Sequence, residues 1–387
     1  YSGSRISNGN AFNALQNMPL WNEDKATDLA DNLSWIKGTH MTKFGVSFTR
    51  DNKNEHRATD PNGNYNFGDS SLNPLDTNYG LSNLALGVFQ TFTQWEKQWI
   101  SYVKFYNLEF YGQDTWKVTR RLSLDYGIRV SWYQPTHFEK ELPPPNFVPS
   151  LFDPAKAPRL YWPTKNTAGQ RVAFDPITGQ TLGVNYIGTR VPGSGNDLNG
   201  IVIAGQNGVS KYLRDYRPPQ WGPRFGIAWD VLGTQRFVIR TGGGIFYDRT
   251  GENIIDYNRI NPPLPQQGRL QYGWADQIGQ AGLQRLLSPF QLRSIDPSGK
   301  IPTRYSYSFG AQSKLVAGMV LDVSYVGARS LHMLSNSNLN NVPYGAGFLP
   351  QNQDPTKSSA LPGGAAYDEI FLRAPFKNYA MVQYNQP

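Results

Sequence analysis

Tyr102 to Tyr133 reads YVKFYNLEFYGQDTWKVTRRLSLDYGIRVSWY, and its alternation decides the fold. Tyr106, Leu108 and Phe110 are apolar or aromatic, whereas Asn107, Glu109 and Gln113 occupy the other parity. After the polar break Thr119-Arg120-Arg121 the period of two returns. Leu122, Leu124, Tyr126, Ile128, Val130 and Trp132 then stand against Ser123, Asp125, Gly127, Arg129 and Ser131. Successive strand side chains point to opposite faces, so the stretch predicts a long antiparallel hairpin with one greasy face and one charged face. Each arm alternates for the roughly 9 to 11 residues a tilted strand needs to cross a bilayer, against about 5 to 6 in a soluble strand. Glu109, Asp125 and Arg129 suit a wide, wet or plugged lumen better than a dry interior. Tyr106, Phe110, Trp116, Tyr126 and Trp132 suit the aromatic girdles of a lipid-facing surface. The expected class is all-β, an antiparallel transmembrane β-barrel. A large soluble all-β domain with one solvated face also alternates in this way.

Composition agrees with that class. The 387 residues include no cysteine, 38 glycines, 28 prolines and 13% aromatics, with a net charge of +8. Without cysteine there is no disulfide framework and no thiol chemistry. No run reaches the roughly 18 apolar residues of a membrane helix, which a barrel does not need. Lysine and arginine are dispersed rather than gathered in a stripe, which argues against nucleic acid as a partner. Tyr1 is not an initiator methionine, and the chain stops at Tyr384-Asn385-Gln386-Pro387 directly after an alternating run. Both ends therefore read as cuts through a longer protein.

The same reading along the chain predicts hairpins near 27–50, 100–133, 222–247 and 303–330, and the start of a further strand near 377–384. About nine strands of a partial barrel, spanning 1–387, are thus visible. Tight breaks fall at 38–40, 119–121, 232–235 and 316–318, whereas the intervening connections run to dozens of residues. In an up-and-down barrel this puts short turns on the periplasmic rim and long loops on the extracellular one, and soluble domains rarely keep several structureless loops of such length. Within the first long loop, 81–92 is expected as a short helix or strand. The Pro- and Gly-dense loop 134–221 is expected to carry at most short edge pieces. A weak repeat, Phe44-Gly45-Val46, Tyr126-Gly127-Ile128, Phe225-Gly226-Ile227 and Phe309-Gly310-Ala311, places glycine inward. Such a glycine marks either curvature or the close approach of another backbone, for example a plug.

Motifs for covalent chemistry are missing from the sequence. Gly242-Gly243-Gly244 has no following Lys-Ser/Thr pair and sits in a strand pattern. Gly193-Ser194-Gly195 lacks the spacing of a nucleophile elbow. His40, His56, His137 and His332 have no zinc-ligand spacing. Asp60-Pro61-Asn62-Gly63-Asn64 and Asn196-Asp197-Leu198-Asn199 do not follow a calcium-loop pattern and read as turns. No enzymatic activity and no cofactor are expected. Two groups remain as candidate sites. Glu109, Asp125, Arg129, Arg224, Asp230 and Arg240 face the lumen, where they either pair across strands, clasp a plug or are simply solvated. Trp95, Trp99, Tyr161, Trp162, Tyr212, Tyr216 and Trp274 lie in the long loops, where they either pack the loops together or contact a ligand.

The segments FYGQDTWKVTRRLSLDYGIRVSWY, PRFGIAWDVLGTQRFVIRTGGGIFYDR, DNLSWIKGTHMTKFGVSFTRD and YSYSFGAQSKLVAGMVLDVSYVGARSLHML resemble the barrel of TonB-dependent outer-membrane receptors of the Oar-like group. The resemblance covers most of 26–334 and is specific at Gln113 to Arg129. It implies a 22-stranded barrel with an N-terminal plug and a TonB box, of which this chain shows neither plug nor box. It also implies ligand uptake across the outer membrane of a Gram-negative bacterium. The implied partners are outer-membrane lipid, the TonB-ExbB-ExbD system acting through the absent plug, and an oligosaccharide, siderophore or peptide ligand. An unplugged porin or adhesion-type barrel, and a secreted carbohydrate-binding β-protein, are the alternatives.

Overall fold

The computed structural model describes residues 5–9, 12–14, 21–56, 63–96, 100–140, 143–251, 253–264, 266–279 and 286–386. Eight long strands form an antiparallel meander: β1 (Trp21–Lys37), β2 (His40–His56), β3 (Ile100–Lys117), β4 (Leu122–Tyr133), β5 (Gln220–Asp230), β6 (Phe237–Tyr247), β7 (Thr303–Lys314) and β8 (Val320–Leu331). Each pairs with the next in chain order. A ninth, two-residue strand, His137–Phe138, pairs with Val103 and Lys104 of β3 beyond the end of β4. Among the described residues the sheet does not close, and β1 and β8 remain its edges. No described helix is long and apolar enough to cross a membrane.

Local chemistry explains the four hairpins. Gly38 holds φ at +59°, a setting glycine adopts without a Cβ clash, so Gly38-Thr39 makes the two-residue loop between β1 and β2. The Thr119 hydroxyl accepts the backbone N–H groups of Arg121 and Leu122 at 3.1 and 3.0 Å and turns β3 into β4. Ala317 and Gly318, both at positive φ, turn β7 into β8. Since neighbouring strands are antiparallel, these turns share one rim and the long connections share the other. The first hairpin is longer than its alternation, expected over 27–50, suggests. The ladder continues to the Trp21–His56 pair. Asn22-Glu23-Asp24-Lys25 and Asp51-Asn52-Lys53-Asn54-Glu55 are polar on both parities, so the hydrophobic period disappears where the backbone pairing does not.

The two faces of the meander differ as the period of two requires. One register row runs Leu33, Phe44, Gly112, Ile128 and Pro223, and another runs Tyr126, Phe225, Gly243, Tyr307 and Gly327. On this face Leu33 is 64% exposed, Phe225 56% and Tyr325 64%. A continuous apolar belt of this kind is a surface for lipid rather than for water. The opposite rows are Asn32, Gly45, Tyr111, Arg129 and Gly222, and Gln113, Gly127, Arg224, Gly244, Ser306 and Ala328. Of the repeat glycines, Gly45 shows what the motif is for. The Tyr111 ring of the neighbouring strand lies across it, so a Cβ there would sit 2.2 Å from a ring carbon. The Tyr111 hydroxyl donates to Asn32 Oδ1 at 2.7 Å on the far side. At this position the close approach is made by a side chain of the sheet itself.

The apolar core lies outside the meander's belt. Four buried clusters, typified by Phe147 with Tyr379, Phe67 with Phe89, Leu213 with Ile254 and Tyr161 with Val191, all belong to the long connections. These connections are therefore not the bare loops that their glycines and prolines suggest. They fold into a dome containing several small sheets, helix Gly80–Leu86 and strand Val88–Trp95. The segment expected as a ninth barrel strand also belongs there. Val382–Gln386 pairs with Leu292–Ile295 and Ser335–Asn338 rather than with β8. Alternation reports that a segment is extended with one buried face but does not name its partner. Val382 is fully buried in the dome.

Candidate functional site

The polar face of the meander brings part of the predicted charged set together. Glu109 on β3 and Arg129 on β4 form an ion pair, and the Tyr133 hydroxyl donates to the same carboxylate at 2.9 Å. Asp125 accepts from the Thr115 hydroxyl at 2.5 Å, and Arg240 donates to Gln312 Oε1 at 2.6 Å. Arg224 has its guanidinium 4.6 Å from the centre of the Phe246 ring, a cation–π geometry. These contacts are cross-strand, so the wall is satisfied mostly by itself. Asp230 does something else. Its carboxylate accepts the backbone N–H groups of Gly233 and Gln235 at 2.9 and 2.8 Å and shapes the turn between β5 and β6. An aspartate just before a turn is well suited to satisfying turn amides, and its parity alone cannot distinguish that role from a lumen charge.

The loop aromatics divide in the same way. Tyr161 is 3% exposed within a dome cluster. Trp162 packs on Tyr367 and Phe371 with ring centres 5.1 and 4.5 Å apart. Tyr212 and Tyr216 lie 5.8 Å apart, with Trp132 of β4 against Tyr216. These four hold the dome together and fix it to the meander. Trp95 and Trp274 sit at opposite ends of one ladder, between Val88–Trp95 and Gln267–Trp274. Trp99 lies outside the described residues.

That ladder borders a dome cavity of about 570 Å³, within the range of small-molecule sites. Its wall includes Gln267, Arg269 and Gln271 from one strand and Thr91 and Thr93 from the other, together with Asp368. Residues at i, i+2 and i+4 share one strand face, so GRLQYG presents its polar parity to the cavity and Leu270 to the Phe67–Phe89 core. Tyr272 also lines the cavity. Two consecutive strand residues do so because Tyr272 has φ of +56°, a left-handed setting that is uncommon and costly for a bulky residue. Burial pushes the Arg269 guanidinium below its ordinary pKa, and the Tyr272 phenol is pushed up by the same cause. No motif in the sequence points to this wall. The polar alternation of Gln267, Arg269 and Gln271 was its available signal.

The dome also carries a strongly held carboxylate. Arg159 donates to both oxygens of Asp175 at 3.1 and 2.9 Å, and the backbone of Ile177 and the Thr178 hydroxyl add 3.1 and 2.8 Å bonds. The Arg159 hydrogen bonds, more than any other contact, bring the Asp175 pKa down to about 2. Among the described residues no group of His, Asp and Glu is placed to hold a metal ion.

The sequence profile of the outer membrane beta barrel domain matches residues 2–387. No curated protein matches the chain. Among solved structures it is similar to the outer membrane transporter YddB from Escherichia coli, with 13% identity and a TM-score of 0.40, covering 94% of this chain and 28% of that one. It is also similar to the copper transporter OprC, with 10% identity, a TM-score of 0.30 and coverage of 81% and 40%. A mutant of the ferric enterobactin receptor PfeA from Pseudomonas aeruginosa gives 11% identity, a TM-score of 0.26 and coverage of 96% and 48%. The chain spans less than half the length of each of these structures.

Proposed function

Because the chain belongs to the outer membrane beta barrel domain family and lies in the outer membrane of Gram-negative bacteria, we propose that it forms part of the barrel wall and extracellular dome of an Oar-like, TonB-dependent transporter. In this reading the dome captures a ligand at the cell surface, and energy delivered by TonB through a plug outside this chain opens the path along the inner wall. The barrel strands do no covalent chemistry. The observation that carries the reading is the combination of a folded dome with a polar cavity and a sheet that is polar on one face and carries an exposed apolar belt on the other. An adhesion barrel needs the dome but not the polar wall, and a porin needs the wall but not a dome with its own core. A secreted carbohydrate-binding protein is disfavoured by the exposed belt, which would aggregate in water.

Two measurements on the full-length protein test the proposal. In a planar bilayer a plugged transporter gives no steady conductance at modest voltage, and stepwise open-channel currents from every insertion would establish the porin alternative. The purified periplasmic domain of TonB is expected to be retained by the protein immobilised in detergent. No retention above that of an unrelated barrel would remove TonB from the mechanism.

A further inference from the structure

The rim that carries the tight turns is strongly basic. Lys37 precedes the turn between β1 and β2, Lys117, Arg120 and Arg121 bound the next turn, Arg236 closes the third and Lys314 opens the fourth. All six residues are exposed, and among the described residues none of them forms an ion pair. Within 36–41, 116–122, 229–237 and 313–320 the sole acidic residue is Asp230, whose carboxylate already accepts the turn amides of Gly233 and Gln235. The Arg121 guanidinium lies over Gly233 of the neighbouring turn, so positive charge bridges two turns.

These turns are also greasy. Leu232, Leu315 and Val316 stand exposed at their tips, Val316 at 79%. Trp35, Trp116 and Trp229 share the apolar parity a few residues away, with the Lys37 ammonium 5.6 Å from the centre of the Trp35 ring. On that same parity His40 Nδ1 lies 2.6 Å from the Asp114 carboxylate, which also accepts from the Thr42 and Tyr126 hydroxyls at 3.1 and 2.9 Å. A polar network there, with His40 stacked on Trp116, marks the level at which the apolar belt ends. Basic flanks, exposed aliphatic tips and tryptophans are the composition of a surface at headgroup depth.

From this combination we infer that the turn rim is a docking surface for anionic phospholipid of the periplasmic leaflet. Lipid phosphates meet Lys117, Arg120, Arg121 and Arg236, while Leu232, Leu315 and Val316 reach the acyl boundary. An acidic periplasmic protein would match the cations alone, whereas a lipid matches the cations with its headgroup and the aliphatic tips with its chains. The inference goes beyond the transport reading. Its premises are membership of an outer-membrane family and the placing of the short turns on the periplasmic rim.

Native mass spectrometry of the full-length protein in detergent, which counts bound lipids one at a time, tests the docking. The probes are dioleoyl phosphatidylglycerol and dioleoyl phosphatidylethanolamine, which share acyl chains and differ in charge. Phosphatidylglycerol is expected to bind at least about fivefold more tightly, the factor one basic residue contributes near an anionic surface, and the preference should shrink as salt rises. K117Q/R120Q/R121Q/R236Q, altered only at exposed positions and checked for folding by heat-modifiable mobility on gels, should bring the ratio close to one. The charge-conserving K117R/R120K/R121K/R236K should keep the preference, as should K165Q/K211Q/K300Q at exposed positions of the dome. Equal affinity for the two lipids in the parent, or an undiminished preference in the neutralised rim, would overturn the inference. V316C should escape a bulky, membrane-impermeant maleimide in intact cells and react after detergent is added. Labelling in intact cells would put the rim against lipopolysaccharide instead, and would overturn the inference too. Lipid preference in a protein that does not retain the TonB domain would leave the rim assignment standing and remove the transport reading. TonB retention without lipid preference would do the reverse.

Discussion

At the scale of single residues, the side chains that matter are those whose partners are distant in sequence. Asp175 is buried and grips Arg159, and its pKa near 2 lies below the ordinary aspartate value of about 3.9. A lowered pKa means that the folded state holds the carboxylate charged, so its stabilisation is present above about pH 4 and is lost as pH falls toward 2. The shift corresponds to about 2 kcal/mol. Hydrogen exchange of 159–191 in the full-length protein should therefore accelerate in Asp175→Asn at pH 7, and parent and variant should converge near pH 2. Equal protection at both values would deny the carboxylate that role. Gly45 makes a second case. Gly45→Ala forces the Tyr111 ring off its strand and breaks the Tyr111–Asn32 bond, an overpacking cost of about 1 to 3 kcal/mol. Urea unfolding in detergent should show the loss, and replacing Tyr111 by Ala in the same protein should recover part of it.

At the scale of the element, the hairpin of β3 and β4 separates two environments by a single residue. Ile128 faces the belt, paired with Gly112 and Pro223. Ser123 faces the other way, between Lys117 and Ala228. Ile128→Arg is expected to cost about 2 to 4 kcal/mol if that position lies near the bilayer midplane, and Ser123→Arg to cost little in a wet lumen. Folding titrations into lipid vesicles measure both, and equal damage would point to a two-sided core. The hairpins are legible in the amino-acid sequence because strand parity and turn residues are local properties. The upper ends of β1 and β2 are not, since Asn22 to Lys25 and Asp51 to Glu55 are polar on both faces. The segment 377–384 shows the opposite limitation. It is extended near its end, as its pattern suggests, but its ladder is made with other segments of the dome.

At the scale of the whole molecule, the belt and the dome are held by different forces. Backbone ladders hold the meander, whereas buried clusters centred on residues such as Phe147 and Phe89 hold the dome. Replacing 135–219 by a short Gly-Ser turn in the full-length protein should therefore leave outer-membrane insertion intact, judged by heat-modifiable mobility on gels. It should abolish ligand binding at the cavity, whose wall includes Ile187 and Gly188. Loss of insertion would show that the dome is required to assemble the barrel.

The amino-acid sequence by itself determined that strands alternate between an apolar and a polar face, that tight turns lie on one rim, and that Glu109, Asp125 and Arg129 share the polar face. Each of these follows from the two-residue period and from turn chemistry, which neighbouring residues settle among themselves. Tertiary structure alone decided that the long connections have a core of their own, that Asp230 serves a turn, and that Tyr161 and Trp162 are packing groups. It also decided that Arg269 and Gln271 face a cavity. Those outcomes depend on which segments meet, as Phe147 meets Phe376 across more than half the chain, and buried contacts between distant segments leave no local period to read.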